Sequence, residues 1–432
     1  MEANRRQFLK YLCSGLVLDV VGPYSSTACP IVVNETAKMH WQPEDTHLRI
    51  LTFNCWALPA LFAKDQNQRV TAIAERLSMG EFDVVGLQEV WDGASQTKIA
   101  RMARRGGLKY SHYFKNGISG SGIMILSRYP ILACDFHAYG VNGKPQKLLR
   151  DDYYGSKGVG MARISSPAGI FDFYVTHLIS HYDKQDEYQA HRAAQVFELL
   201  QFMDRTNKTD FLIVAGGLNS TPESLEYCMM TGLEKLNDAY AEVHSDAGYT
   251  SNCDDPGGPT RRIDYILYRA SGKNNWNLVD SKLSMRFMGN SSRTYSDHFG
   301  VTATFSSDPK KTATSHMPVS YGSDRYIVEN AIRVIEEGIA DARNRESRHF
   351  MKAVGSLALF PAGKFFAESL RKSGHSPHLC RLLGLVFSYF MPLVAIVQLS
   401  LGLFWVPNEL DALKNVRDEM TDALKDQRPA ET

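Results

Sequence analysis

Six short segments place polar side chains where an apolar, strand-like run ends or is interrupted. They are Thr52-Phe53-Asn54, Gly86-Leu87-Gln88-Glu89-Val90, Thr176-His177-Leu178, Gly216-Gly217-Leu218-Asn219, Arg262-Ile263-Asp264-Tyr265-Ile266 and Ser296-Asp297-His298. Strand ends converge at one rim of a sheet sandwich, where loops expose them. An Asn, Glu, His, Asn, Asp, Asp and His set held there suits phosphodiester hydrolysis. That reaction needs a hard cation on oxygen ligands. It also needs an oriented water and a histidine to stabilise or protonate the phosphoryl group. Taken singly, each residue has an ordinary reading. Glu89 alone caps a strand end, His177 alone is a satisfied core histidine, and Asp297-His298 alone is a common pair. Asp264 is harder to dismiss, because a carboxylate buried in an apolar strand is costly without a partner. The joint occurrence of all six, in this order, carries the inference.

The elements that must position these groups read as alternating strands and helices from residue 47 to about 307. Strand-like runs cover Leu48–Asn54, Asp83–Gln88, Gly122–Ser127, Phe171–Thr176, Phe211–Ala215, Ile263–Tyr268 and Val301–Phe305. Helical stretches cover Gln66–Ser78 and Tyr188–Met203, the second with Ala190, Ala194 and Phe197 near a 3.6-residue period. One block of this kind predicts an α/β or α+β sandwich.

The two ends differ from this block. Residues 1–46 carry Arg5-Arg6-Gln7-Phe8-Leu9-Lys10 and an apolar run from Tyr11 to Val21. This matches a twin-arginine export signal or anchor, but the run is short and Asp19 interrupts it, which favours a poorly ordered extension. Residues 308–323, with Pro309 and Pro318, read as a linker. Asp324 to about His349 is a predicted helix with Ile327, Ala331, Ile335 and Ile339 on one face. Residues 382–406 carry no formal charge. About 20 apolar residues cross the ~30 Å hydrocarbon core, so this stretch predicts a membrane span. A second hydrophobic segment, about 351–367, contains an uncharged run between Lys352 and Lys364 that suits one arm of a hairpin or an interfacial helix.

Composition excludes several classes. The 432 residues divide into one large domain and a smaller appendage, or about three average ones. Lys+Arg 48 against Asp+Glu 47 leaves +1, which argues against a broad cationic coat for nucleic acid. Hydrophobic content of 44% excludes wholesale disorder. The seven scattered cysteines form no CxxC pair, which argues against a disulfide scaffold or a thiolate zinc site and favours a reducing compartment.

At the six segments the chain resembles the endonuclease/exonuclease/phosphatase superfamily, and within it most closely the Mg²⁺-dependent neutral sphingomyelinases. The closer likeness rests on Asn54-Cys55-Trp56, Leu87-Gln88-Glu89-Val90-Trp91, His112-Tyr113-Phe114, Gly122-Ile123-Met124-Ile125-Leu126-Ser127, Asn142-Gly143-Lys144-Pro145 and Lys157-Gly158-Val159-Gly160. It covers about residues 47–307 and is accompanied by a similar hydrophobic tail. The resemblance implies a four-layered α/β sandwich of the DNase I-like type, with one or more C-terminal helical membrane segments. It implies Mg²⁺, with Mn²⁺ as a substitute, and a membrane substrate, sphingomyelin or a related choline lipid, rather than nucleic acid. Carried over by position, Glu89 is the metal-binding glutamate, supported by Asn54. His177 contacts phosphate, Asn219 orients the attacking water, and His298 is the catalytic histidine oriented by Asp264. Asp297 lies beside metal and phosphate, and Lys157, with Asp152 in the same loop, meets the substrate.

One position departs from the pattern. The resemblance implies Gly-Asp-(aromatic or Leu)-Asn at the fifth strand, where this chain reads Gly216-Gly217-Leu218-Asn219. Glycine neither accepts a proton nor orders a nucleophilic water, and losing a general base costs about 10²–10⁴ in rate. The expectation is a membrane-tethered phospholipase C-type hydrolase impaired by Gly217. The alternatives are a nuclease or inositol-lipid phosphatase of the same superfamily, and a silent lipid-binding relative. Asn219-Ser220-Thr221 is also an N-glycosylation sequon, and a glycan there would block the site. That favours a catalytic head facing the cytosol, on a single- or multi-pass anchor.

Overall fold

The structure is a computed structural model that describes residues 47–58, 65–117, 120–144, 147, 157–181, 185–253, 260–271, 276–289, 291–307 and 324–426. The N-terminal extension 1–46, the expected linker 308–323 and Asp152 lie outside the described residues.

Twelve strands form two six-stranded sheets. The first has the order β11-β12-β1-β2-β4-β3 and the second β5-β6-β7-β8-β10-β9. Their strands are β1 (His47–Ala57), β2 (Val84–Val90), β3 (Tyr110–Tyr113), β4 (Met124–Ser127), β5 (Ile131–Ala138), β6 (Gly158–Ser166), β7 (Gly169–His177), β8 (Phe211–Gly217), β9 (Asn237–Asp238), β10 (Asp264–Ala270), β11 (Trp276–Ser284) and β12 (Gly300–Ser307). Two central pairs are parallel, β1 with β2 and β7 with β8, and the other pairings are antiparallel. Each parallel pair is joined through a helix, as a crossover requires. These are α1 (Gln66–Leu77) and α3 (Gln189–Thr206).

Side-chain alternation on β1 shows how the layers stack. Leu48 and Ile50 face a core shared with Phe171, Phe173 and Ile213 of the second sheet, while Leu51, Phe53 and Cys55 face Val70, Ile73 and Leu77 of α1. The sheets approach closely at Gly86, where a Cβ would lie 2.7 Å from a Val175 methyl. The remaining helices of the first layer and loops are α2 (Gly93–Ala103), α4 (Leu225–Cys228) and α5 (Ala239–Val243). Helix, sheet, sheet and helix give four layers, the architecture expected from the resemblance.

The strand-like runs identified in the sequence all fall on strands, whereas β3, β5, β6, β9 and β11 were not anticipated. The reason is physical. β6 carries Gly158 and Gly160, and edge strand β11 is broken by the polar run Asp280-Ser281-Lys282 and a register shift at Leu278/Asp280, so neither has a strong local strand preference.

The helix expected to end near His349 runs on to Lys372 as α6 (Asp324–Lys372), 49 residues and about 74 Å long. Beyond a turn, α7 (Pro377–Leu385), α8 (Met391–Ser400) and α9 (Val406–Asp426) are joined by single π-helical turns into one rod that returns along α6. The near ends of this hairpin belong to the sandwich. Ile327, Val334, Ile335 and Ile339 of α6 and Leu410, Leu413 and Val416 of α9 share one core with Val196, Leu199 and Leu200 of α3. The far ends do not. Val354, Phe365, Phe366, Leu382, Phe390 and Ile396 are all exposed, and one helical stretch is long and apolar enough to cross a membrane.

A buried ionic node fastens the root. Arg345 of α6 donates through Nη1 to Glu409 Oε2 of α9 at 2.9 Å and through Nε to Asp341 at 3.0 Å. His191 Nε2 of α3 lies 3.0 Å from Glu409, and Lys144 donates to Asp341 at 3.0 Å. Removing one partner of a buried ion pair strands the other charge, at about 3–5 kcal/mol, whereas replacing both with apolar residues costs far less. Glu409→Ala should therefore lower the unfolding free energy of the detergent-solubilised protein by about 3–5 kcal/mol. Arg345→Met combined with Glu409→Leu should lower it less, as read by denaturant titration.

Candidate active site

The rim that gathers the sequence-predicted residues is set by strand register. Parallel pairing puts Asn54 beside Gln88 at the ends of β1 and β2, and His177 beside Gly217 at the ends of β7 and β8. Antiparallel β10 begins with Asp264 opposite Gly217. Three residues at these ends, Trp56, Glu89 and Asn219, adopt left-handed backbone with φ of 44°, 58° and 51°. Such conformations cost roughly 1–3 kcal/mol each for residues with a Cβ and persist where the fold over-determines them. Here they turn Glu89 and Asn219 out of their strands into one space.

Glu89 Oε1 accepts the Asn54 amide at 2.8 Å and lies 3.8 Å from His177 Nε2. Asn54 Oδ1 in turn accepts the Trp56 backbone N–H at 2.9 Å, so Asn54 orients Glu89 rather than offering its own oxygen. Lys157 Nζ sits 3.2 Å from His177 Nε2 and donates to Leu178 O at 2.9 Å. The same carbonyl takes Asn219 Nδ2 at 2.6 Å. Lys157 is buried against the histidine, not waving in a solvated loop. Across the space, His298 Nδ1 donates to Asp264 Oδ2 at 2.7 Å. Asp297 is held by Ser296 Oγ and by the Cys253 backbone N–H on its carbonyl.

Electrostatics join the two halves. Burial, then the charge of Asp297, raises Glu89 from 4.5 to about 7, against the lowering effects of Asn54, Lys157 and His298. Burial alone would lower His298, but the charge and hydrogen bond of Asp264, followed by Asp297 and Glu89, raise it from 6.5 to about 10. His298 is thus an imidazolium at neutral pH, able to donate a proton. Burial, with Glu89 second, pushes the Cys55 thiol up, so it is inert.

Among the described residues no group of three or more His, Cys, Asp or Glu side chains is arranged to ligate a metal. The donor set nevertheless fits a hard cation bound by few protein oxygens. Two half-buried carboxylates, Glu89 and Asp297, crowd one space, and magnesium-type ions take one or two carboxylates and complete their shell with water and substrate phosphate oxygens. Glu89 would be the principal ligand, steadied by Asn54.

The rim therefore brings together Asn54, Glu89, Lys157, His177, Asn219, Asp264, Asp297 and His298. Two supporting residues were given no role from the sequence. Ser180 Oγ lies 3.4 Å from Asn219 Nδ2, and buried Gln88 hydrogen-bonds Thr52 at 3.1 Å beneath Asn54. Gln88 had a signal, an amide inside an apolar strand; Ser180 had none.

Gly216 and Gly217 differ in kind. Gly216 has φ +137°, and a Cβ there would lie 1.9 Å from Thr176 O, so the backbone demands glycine. A Cβ at Gly217 would lie 3.2 Å from His177 Cδ2 and 3.3 Å from Asp264 Oδ1, which small adjustments accommodate. Asp264 Oδ1 is buried and makes no hydrogen bond to a described residue.

Residues 51–298 match the model of the Endonuclease/Exonuclease/phosphatase family. A putative neutral sphingomyelinase of Drosophila melanogaster is 33% identical over 318 residues, covering 69% of this chain and 70% of the relative. Sphingomyelin phosphodiesterase 2 of Homo sapiens is 32% identical over 319 residues, covering 68% and 74%. An inositol phosphosphingolipids phospholipase C of Schizosaccharomyces pombe is 33% identical over 202 residues, covering 46% and 47%.

Two outcomes follow from the electrostatics. A raised histidine stabilises the fold fully below its unfolded value and loses that contribution as pH rises through its folded value. Stability from His298 should therefore fall between pH 6.5 and about 10. Asp264→Asn should abolish that slope and bring the His298 titration, followed by NMR, down to or below the ordinary imidazole range. Glu89 is raised, so its proton competes with a cation below about pH 7. On the reading that Glu89 holds a divalent cation, calorimetric affinity for that cation should be weaker at pH 6 than at pH 8, and Glu89→Gln should remove both the affinity and its pH dependence.

Proposed function

The chain belongs to the endonuclease/exonuclease/phosphatase family and, within it, to the neutral sphingomyelinases, and from that premise we propose that it is a Mg²⁺-dependent phospholipase C that cleaves sphingomyelin to ceramide and phosphocholine. Its reaction class is phosphoric diester hydrolysis, and the family depends on a divalent metal. The observation that carries the reading is the Asp264–His298 pair, 2.7 Å apart, sharing one buried space with Glu89.

Hydrolysis adds water to phosphorus, breaks the bond from phosphorus to the ceramide oxygen, and delivers a proton to that oxygen. His298, charged and aimed by Asp264, is the proton donor and also stabilises negative charge on the phosphoryl group. Lys157 supplies positive charge and His177 a ring nitrogen facing the non-bridging oxygens. Asn219, its Nδ2 tied to Leu178 O, is left with its Oδ1 to orient the water. A divalent ion on Glu89 would polarise the phosphoryl group. Asp152, five residues before Lys157 in the sequence, is proposed to contact the substrate.

Gly217 supplies no base for the water. We expect slow turnover for this reason. The backbone does not require glycine here, which supports a deficit of chemistry and not of folding.

The exposed apolar hairpin supports a membrane tether. Only 6% of the most apolar stretch in the returning rod is buried, which sets it apart from a core helix. His349 Nδ1 and Gln398 Oε1, 2.6 Å apart, clasp the two arms. A tether at the bilayer raises the effective concentration of a substrate whose phosphodiester lies at headgroup level. The catalytic head is proposed to face the cytosol.

The test compares the chain with Gly217→Asp on sphingomyelin vesicles containing Mg²⁺. The substitution should raise phosphocholine release about 10²–10⁴-fold, and chelation should abolish it. No rise, with vesicle binding intact, would favour a silent lipid-binding protein. Preferential cleavage of inositol phosphosphingolipid vesicles would reassign the headgroup.

A further inference from the structure

We infer that Thr250 is a positioning residue for the reaction, holding the Asp264–His298 pair in place from both sides. The inference rests on the phosphodiesterase reading of the site. Thr250 is fully buried and lies on a loop that the active-site segments do not include.

Its hydroxyl oxygen accepts two backbone hydrogen bonds, from Ile263 N at 3.0 Å and Asp264 N at 3.1 Å. A hydroxyl has two acceptor lone pairs, and both are used. The need for them comes from topology. On one side β10 pairs with β8 from Asp264 onward. On the other side β9 pairs with it only at Leu267 and Tyr268. At Asp264 that second edge has no neighbouring strand, and the Thr250 side chain takes the acceptor's place.

The backbone of the same residue ties the other partner. Thr250 O accepts the N–H of Phe299 at 2.8 Å, and Phe299 follows His298 directly. A closed ring results, from Thr250 Oγ1 to the Asp264 backbone, across the 2.7 Å Oδ2–Nδ1 bond to His298, through Phe299 and back to Thr250 O. The ring reaches further along the rim. Leu218 N donates to Ile263 O at 2.8 Å, just ahead of Asn219, and Cys253 N donates to Asp297 O at 2.8 Å from the same loop as Thr250. Four proposed site residues thus refer their backbone positions to the Thr250 loop.

Valine matches threonine in shape and removes only the acceptor. Two buried N–H groups would then lose their partner, and the start of β10 would shift. Displacement by about 1 Å costs up to about 10²-fold in rate without changing what binds the substrate. Thr250→Val should therefore lower kcat about 10–100-fold and change KM by less than about threefold. Thr250→Ser keeps the oxygen and should recover most of the rate. The second readout needs no turnover: the hydrogen-bonded His298 Nδ1 proton resonance of ¹⁵N-histidine-labelled protein should persist in Thr250→Ser and shift or broaden in Thr250→Val. Thermal melts report folding, and Thr250→Ala serves if the valine variant does not fold. Rates are measured in the chain itself and in its Gly217→Asp form. If neither hydrolyses sphingomyelin, the substrate reading fails and the resonance alone decides the role of Thr250. The inference is overturned if Thr250→Val leaves kcat and the resonance unchanged, if Thr250→Ser falls as low as Thr250→Val, or if KM changes in place of kcat.

Discussion

Glu89 and Asp297 are both half-buried and close enough for the charge of one to raise the other, and that crowding of two acidic groups is the constraint from which the site's other features follow. Two half-buried carboxylates this close do not both stay ionised at neutral pH without compensation. The fold supplies part of it through Lys157 and through the imidazolium of His298, itself charged because Asp264 holds its other face. The residual demand for positive charge is what suits the space to a hard cation, while the cationic groups that offset the carboxylates are those able to meet the negative charge of a phosphoryl group. The same crowding adds to the raised state of His298, whose first raising cause is Asp264.

Such an imbalance opposes folding, and the sandwich around it is built to withstand it. Glu89 and Asn219 sit in left-handed backbone, forced by strands whose register is fixed on both sides. The two parallel pairs at the centre of the sheets bring β1–β2 ends and β7–β8 ends to one rim, and close approach at Gly86 holds the sheets together. Rigidity of this kind keeps opposing charges at working distance when relaxation would separate them.

How much of this was legible in the sequence depends on the kind of signal involved. Asp264 announced itself, because a carboxylate in an apolar strand needs a partner, and His298 is that partner. Glu89, His177 and Asn219 were readable as polar ends of apolar runs. The position of Asn54 was readable but its orientation was not, since only the turn at Trp56 shows its carbonyl oxygen already engaged. Edge strands such as β11 carry no alternation strong enough to reveal them. Thr250 was invisible for a different reason. Its role exists only because β9 is too short to cover the start of β10, which is a fact of pairing and not of local sequence.

The C-terminal hairpin illustrates the same limit at larger scale. Periodicity revealed the helices and charge-free length revealed the apolar rod, and together they suggested an appendage behind a linker. The roots of α6 and α9 instead complete the outer layer of the second sheet, burying Ile335 and Leu413 against α3. The ionic node then ties α3, α6 and α9 to Lys144, in the stretch that leads toward Lys157. A flexible tether raises the local concentration of substrate but leaves orientation to chance. A root sharing the domain's own core fixes the angle between the hairpin and the active-site rim. On the proposed membrane reading, that fixed angle sets how the rim meets a headgroup lying in the bilayer plane.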